Sequence, residues 1–330
     1  MSGRLLVTGG SGFIGSAFVR ALAADGARVL NLDAGTYAAD ERRLAQAPEG
    51  AVETVRSDVR DDALAELVAR ERPSAIVHFA AESHVTRSET AADEFFAVNV
   101  EGTRRVLEAA MAAGVPRVLH VSTDEVYGPC PGAPFREQDK LAGEGLATSA
   151  YARSKALADD LAQTYADRLD VVVVRPTNTI GPWQHPEKAV PRWATRALRG
   201  ERLPVWGDGG QVRDWMYVDD AVGGIRIVLA RGRRGEVYNL GPAAQGTSNL
   251  EMARLVASAA GGGEDRVYLS HYDRPEHDRR YAVDSARAAA LGWRPAYDLP
   301  RAVAETVAWY RANRAWWATL VDGAEALYAD

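Results

Sequence analysis

The stretch Arg4-Leu5-Leu6-Val7-Thr8-Gly9-Gly10-Ser11-Gly12-Phe13-Ile14-Gly15 decides the fold. A short β-rich run ends in a glycine-rich turn, and an amphipathic segment, Ser16 to Ala24, follows up to Gly26. The next apolar run, Arg28-Val29-Leu30-Asn31-Leu32, delivers Asp33. Strand, glycine turn, helix, strand and terminal acid are the parts of a dinucleotide-binding βαβ unit. The glycines fit both a G-x-G-x-x-G spacing (Gly10, Gly12, Gly15) and a G-x-x-G-x-x-G spacing (Gly9, Gly12, Gly15). Residues without a Cβ let the backbone approach a pyrophosphate, which then lies on the N-terminal amides of the helix. Asp33 stands 18 residues beyond Gly15, where a carboxylate accepts hydrogen bonds from both adenosine ribose hydroxyls. It repels a 2′-phosphate, and Ala34 offers no arginine to hold one, so the pattern predicts NAD rather than NADP. A tight strand-to-helix turn would explain the glycines but not the acid at the following strand end.

Working outward, the same alternation repeats. A strand runs to Arg56 and is followed by Ser57-Asp58-Val59, a helix from about Ala63 to Arg70, and a strand over Ala75-Ile76-Val77-His78-Phe79-Ala80-Ala81. Then come a long helix from about Asp93 to Ala113, an apolar run Arg117 to Val121, a helix at Tyr151 and a strand Val171 to Val174. Near-continuous apolar strands separated by helices predict an α/β protein with a doubly wound parallel sheet. After Arg175-Pro176, prolines at 182, 186, 191 and 204 break the chain into shorter pieces. A helix is predicted from about Val190 to Leu198, with short strands at Leu203 to Gly207 and Trp215 to Val218. Asp219 is read as the cap of a helix to about Ala230, and Ser248-Asn249-Leu250-Glu251 as a capping box. A late helix, about Arg301 to Asn313, leads to Trp316-Trp317, an aromatic cluster read as packing. The predicted division is a dinucleotide-binding domain over 1–177, with 208–240 returning to it, and a smaller interleaved domain from 178–207 and 241–330.

The 330 residues are 47% hydrophobic and 25% charged, enough for a sizeable core, with a formal net charge of -6. No basic patch points to nucleic acid or an anionic membrane. One cysteine, Cys130, excludes an internal disulfide, and it reads as a small packing residue rather than a nucleophile. No His/Cys spacing suggests a metal site. No apolar run is long enough to span a bilayer, and strand-like sequence from Arg4 leaves no room for a secretory leader, so a cytoplasmic location is expected.

Two further stretches carry chemistry. Val121-Ser122-Thr123-Asp124-Glu125-Val126-Tyr127-Gly128 puts a hydroxyl and two adjacent carboxylates at the C-terminal end of a strand, the sheet edge where ligands bind in open α/β folds. Tyr151-Ala152-Arg153-Ser154-Lys155 puts a tyrosine and a lysine on one helix face. An ammonium beside a phenol favours phenolate, so the pair can take a proton from a substrate hydroxyl while hydride leaves the same carbon. Alone, the first stretch is a solvated acidic turn and the second a common surface pair. Below a dinucleotide fingerprint, they suit catalysis.

Taken together, Thr8 to Gly15, Ser122 to Gly128 and Tyr151/Lys155 resemble the extended short-chain dehydrogenase/reductase family, and within it the nucleotide-sugar 4,6-dehydratases, over nearly the whole chain. Ala81-Glu82-Ser83-His84-Val85, His185-Pro186-Glu187-Lys188, Arg213-Asp214-Trp215, Tyr238-Asn239-Leu240-Gly241 and Asp273 to Tyr281 add to the likeness. The resemblance implies a Rossmann fold, NAD, and a nucleotide-diphospho-sugar substrate, dTDP-glucose first. The reaction it implies is oxidation at carbon 4, loss of water across carbons 5 and 6, and hydride return to carbon 6. An epimerase or decarboxylase on the same scaffold needs Tyr/Lys and NAD but not the Asp-Glu pair. By the same resemblance, Glu125 is the base, Asp124 the acid, and Thr123 the partner of the carbon 4 oxygen, with Tyr151 and Lys155 completing the catalytic set. Two neighbouring carboxyls suit one base and one acid, because burial and mutual repulsion keep one of them protonated. For the cofactor the resemblance implies Gly9, Gly12, Phe13, Ile14, Gly15, Asp33, Thr36, Asp58, Val59, Ala80, Ala81, Ser83 and Asn99, with Tyr151 and Lys155. For the substrate it implies Ser83, Thr123, Asn178, Lys188, Pro204, Trp206, Arg213, Asn239, Arg274 and His277, the two arginines suiting a diphosphate. A homodimer through the long helix and the Tyr151 helix is also implied. The chain departs from the family pattern at Thr86, Thr179, Ile180, Trp183, Ala189, Trp206 and Glu276, which bears on the base and the sugar rather than on proton or hydride transfer.

Overall fold

The computed structural model describes residues 3–142, 149–242, 246–271 and 278–328, so Arg274, Glu276 and His277 lie outside the described residues. Seven parallel strands form the main sheet: β1 (Leu5–Thr8), β2 (Val29–Asp33), β3 (Val52–Arg56), β4 (Ala75–His78), β5 (Val118–Val121), β6 (Val171–Pro176) and β7 (Val237–Leu240). Their spatial order is β7-β6-β5-β4-β1-β2-β3. The order reverses between β1 and β4, and such a switch point opens a crevice at the carboxyl ends of the strands. Every residue of β1, β2, β4, β5, β6 and β7 is buried, the consequence of covering both faces of a parallel sheet.

One face is covered by α1 (Phe13–Ala24) and, later in the chain, α6 (Val218–Arg231), whose Val222, Ile225 and Val228 meet Phe18 and Val19. The other is covered by α2 (Ala63–Glu71), α3 (Gly102–Ala112) and α4 (Ala150–Thr164), through Leu64, Val68, Val106, Leu107 and Ala162. The long helix predicted from Asp93 is interrupted. Ala92–Phe96 and α3 are joined by a π turn, Ala97–Glu101, a feature often found where a helix serves a site. Residues 218–240 return to the sheet as α6 and β7, and so does part of the C-terminal region: Trp293 is buried against α6 and donates to the Asp220 carbonyl at 3.0 Å.

The smaller layer contains α5 (Ala189–Leu198), α7 (Asn249–Ala259) and α8 (Leu299–Ala312). Its core joins Trp193, Val205, Met252, Val256, Val303 and Val307 to the aromatic group Trp183, Trp316 and Trp317. Trp317 donates to the Tyr310 carbonyl at 2.6 Å and Trp193 to the Pro204 carbonyl at 2.7 Å, so these two indole N–H groups are satisfied within the core. The departures Ile180 and Trp183 are core residues of this layer. The capping box at Ser248 and Glu251 is present. Asp219, by contrast, is not a cap. The strand Trp215–Tyr217 runs straight into α6, which places Tyr217 at the N-cap and Asp219 in the first turn.

Candidate active site

A cleft of about 490 Å³ runs from the glycine turn, past the ends of β4 and β5, to the smaller layer. Its first arm is made largely of backbone. Gly9 lies at φ 73°, a left-handed conformation that favours glycine, and a Cβ there would stand 2.6 Å from the Ala80 nitrogen. A Cβ on Gly15 would stand 2.3 Å from the Gly9 oxygen. α1 begins at Phe13 directly over this turn, with Gly12 as its N-cap and no side chain occupying the helix end. Asp33 ends β2 with its carboxylate fixed by the Ser11 and Gly35 amides, both at 2.9 Å. Phe13, Ile14, Thr36, Asp58, Val59, Ala80, Ala81 and Ser83 line the same arm. A glycine cradle, a free helix N-terminus and an acid at the second strand end fit the pyrophosphate and ribose of a dinucleotide. Asp58 is not a helix cap; Arg60 clasps its carboxylate at 2.8 and 2.9 Å, which holds it below the usual carboxylate range.

The groups predicted to act as acid and base stand at the centre. β5 ends at Val121, and Asp124–Tyr127 follows as a 3-10 turn whose N-cap, Thr123, accepts from the Glu125 amide at 3.3 Å. Asp124 is buried and its Oδ2 has no hydrogen-bond partner among the described residues. Burial first, then the Glu125 carboxylate, push its pKa up to about 8, so it carries its proton at neutral pH. Glu125 beside it is half-buried.

Opposite the turn, Ser149 caps α4 by accepting from the Ala152 amide, and the helix presents Tyr151 and Lys155, both buried. The Tyr151 phenol is held above its ordinary range by burial and then by the Glu125 carboxylate, with a Thr123 hydrogen bond acting the other way. This differs from the lowering predicted from the neighbouring ammonium. Lys155 Nζ is aimed at the Val121 carbonyl, 2.8 Å away, and not at the phenol. Burial also brings its own pKa down to about 8, although Asp159 acts to raise it.

The second arm is made of side chains. Asn178, Lys188, Pro204, Trp206 and Arg213 line it, as do the departures Thr86, Thr179 and Ala189. Lys188 reaches across the cleft to the Ser83 carbonyl at 2.8 Å. Arg213 is buried, donates to the carbonyls of Val212 and Asp278 at 2.8 and 3.0 Å, and lies over the Tyr281 ring. Trp206 meets Tyr328 edge to face at 5.2 Å.

Two predicted residues do not face the cleft. Asn239 is wholly buried in β7, its carboxamide engaged by the Tyr127 hydroxyl and by the carbonyls of Phe135 and Asp284. Asn99 lies in the π turn and holds both backbone groups of Glu82 as well as the Ser154 hydroxyl, which positions the Ala81–Ser83 wall from behind. Sequence reasoning also missed several lining residues. Arg43 is buried and binds the carbonyls of Ser11, Ala38 and Trp183, tying the glycine turn to the smaller layer. Glu187 is buried between Tyr37, which donates to its carboxylate at 3.1 Å, and Tyr328, which donates to its carbonyl at 2.5 Å. Glu187 stood within a quoted motif. Arg43 and Tyr328 gave no local signal, because the contacts that carry them to the smaller layer and to Glu187 span more than a hundred residues.

The model of the NAD dependent epimerase/dehydratase family matches residues 5–241, and the chain belongs to that family. The chain is 43% identical to a dTDP-glucose 4,6-dehydratase of Actinoplanes sp., with 95% of this chain and 99% of that one covered. It is 44% identical to a dTDP-glucose 4,6-dehydratase of Streptomyces griseus, covering 97% and 98%. The dTDP-glucose 4,6-dehydratase of Streptomyces venezuelae, solved with NAD bound, superposes with a TM-score of 0.90 at 43% identity, over 96% of this chain and 99% of that one. NAD is the cofactor of this family, and the glycine arm fits a dinucleotide.

Proposed function

We propose that this chain is a dTDP-glucose 4,6-dehydratase, an NAD-dependent hydro-lyase giving dTDP-4-keto-6-deoxyglucose. The observation that carries the reading is a buried carboxylic acid, Asp124, protonated at neutral pH beside Glu125 and across from Tyr151 and Lys155. Held by Gly9, Gly12, Gly15 and Asp33, NAD would supply the redox chemistry, as acceptor of hydride from carbon 4 and donor of hydride to carbon 6. Tyr151 accepts the proton of the carbon 4 hydroxyl as phenolate, the form that the positive nicotinamide ring of bound NAD and the Lys155 ammonium favour against the effect of burial. Thr123 hydrogen-bonds the oxygen as it becomes a ketone, and that ketone makes the carbon 5 proton acidic. Glu125 removes this proton while Asp124 protonates the carbon 6 hydroxyl, which leaves as water. Arg213 and Lys188 bring positive charge to the arm that receives the diphosphate, with Arg274 and His277 assigned to the same arm, and Trp206 gives the base an aromatic face.

A cytoplasmic homodimer completes the proposal. No helix among the described residues is long and apolar enough to cross a membrane. Leu157 is 51% exposed on the outer stripe of α4 and Met111 is 38% exposed on α3, apolar groups on the two helices assigned to the subunit contact. Light scattering of a Leu157→Glu variant checks this, with a halved mass expected.

Incubation with dTDP-glucose and, separately, UDP-glucose in deuterium oxide tests the activity. Loss of water with one solvent deuterium at carbon 5, from dTDP-glucose in preference, is the expected result. An epimer formed without water loss would overturn it.

A further inference from the structure

The acid–base groups occupy two separate elements, the Asp124–Tyr127 turn and α4, and a buried network joins them. One helical turn beyond Lys155, Asp159 has no exposed surface. Arg175 of β6 clasps its carboxylate twice, Nε to Oδ2 at 2.9 Å and Nη2 to Oδ1 at 2.7 Å. The remaining arm, Nη1, donates to the Tyr127 hydroxyl at 2.6 Å, and that hydroxyl donates to Asn239 on β7 at 2.8 Å. The guanidinium also lies 4.8 Å from the centre of the Tyr127 ring, which stacks on Phe135 at 5.0 Å. Every contact named is directional, and both ends of the network are catalytic elements.

A buried ion pair is weak evidence of added stability, since desolvation offsets much of its attraction. What a two-point clasp supplies that packed apolar groups do not is a fixed orientation. We propose that Asp159 and Arg175 are positioning residues, which through the Tyr127 hydroxyl hold the Asp124–Glu125 turn in register with Tyr151 and Lys155. The proposal rests on the dehydratase reading, in which these four groups must address carbons 4, 5 and 6 of one sugar ring. A displacement of about 1 Å at such a site costs on the order of a hundredfold in rate. Asp159 also places an anion beside Lys155, whose other near neighbours, His78 and His120, are buried and held neutral.

Tyr127→Phe tests the link in the full-length protein, because it deletes one hydroxyl and keeps the ring on Phe135. Turnover is measured with dTDP-glucose carrying deuterium at carbon 4 or at carbon 5, alongside the thermal midpoint and calorimetric dTDP binding. The expected result is a kcat lowered about tenfold or more at a KM changed by less than about twofold. The carbon 5 isotope effect on kcat should grow and the carbon 4 effect shrink, since only the eliminating turn is loosened. A kcat equal to that of the parent would overturn the proposal. So would an equal slowing of both steps with a lowered midpoint, which marks a purely structural role. A parent protein that leaves dTDP-glucose unchanged is a separate outcome, and it removes the dehydratase reading together with this one. Arg175→Lys gives a second check, because it keeps the charge but not the clasp, and should reproduce the same isotope pattern.

Discussion

The two arms of the cleft are built from different materials. The cofactor arm is backbone: a glycine turn, a helix N-terminus, and one carboxylate held by two amides. The substrate arm is side chains from distant parts of the chain, Lys188, Trp206, Arg213 and Tyr328, brought together only by the fold. Backbone geometry leaves a sequence signature because few residues permit it. Side-chain walls can be built in many ways, and every departure from the family pattern that lines the cleft, Thr86, Thr179, Ala189 and Trp206, lies outside the glycine turn and the acid–base centre. Between the arms, the Asp124/Glu125 and Tyr151/Lys155 elements belong to neither, so substitutions in the three zones should separate cleanly.

The largest effect is expected at the centre. Asp124→Asn keeps the shape and removes the transferable proton, so kcat should fall by about 10²–10⁴ with NAD retention unchanged. Steady-state kinetics and cofactor absorbance check both halves. In the parent, kcat should decline as pH rises through about 8, where Asp124 loses its proton. Linkage gives a matching effect on stability. A carboxyl with a raised folded pKa keeps its proton where the unfolded chain has released it, so stability falls as pH rises from about 4 to about 8. For this one group the slope is up to about 1.4 kcal/mol per pH unit, and denaturant titrations of Asp124→Asn should show it flattened.

Next in size is Gly15→Ala. Its Cβ would overlap the Gly9 carbonyl, which must shift out of the cradle. Overpacking of this kind costs about 1–3 kcal/mol, so NAD should bind roughly ten- to a hundredfold more weakly by calorimetry. dTDP binding, measured separately, should be unchanged. Weakening of both ligands together would break the division between the arms.

The same division explains what was legible in advance. Strand–turn–helix order, the parallel sheet and the gathering of Thr123, Asp124, Glu125, Tyr151 and Lys155 at one cleft could be read, because each rests on local pattern or short motifs. Asn99 and Asn239 were assigned to ligands, yet both spend their carboxamides on the fold. A motif does not say which way an amide faces. The π turn that turns Asn99 towards the Glu82 backbone, and the reach of Arg43 to Trp183, are tertiary facts. Asp219 misled for a simpler reason, since a strand that enters a helix directly leaves no loop for a cap. Lys155 was expected to face the phenol, and whether it does depends on the Val121 carbonyl, a backbone acceptor that no side-chain pattern reports.

The smallest expected effect is at the far end of the substrate arm. Trp206 is partly exposed and meets Tyr328 edge to face. An aromatic pair contributes about 0.5–1.5 kcal/mol beyond its buried area, so Trp206→Ala should raise the KM for dTDP-glucose roughly three- to tenfold. kcat should stay within about twofold, because the residue ends the strand Leu203–Trp206 of the smaller layer and belongs to neither the turn nor α4. Trp206→Tyr keeps an aromatic face and should recover most of the loss. If Trp206→Ala lowered kcat as much as it raised KM, binding at this wall would be feeding alignment at the sugar, and the two arms would be one device. If KM for UDP-glucose moved by the same factor, the wall would hold any pyrimidine, and the choice of base would have to lie elsewhere in the arm.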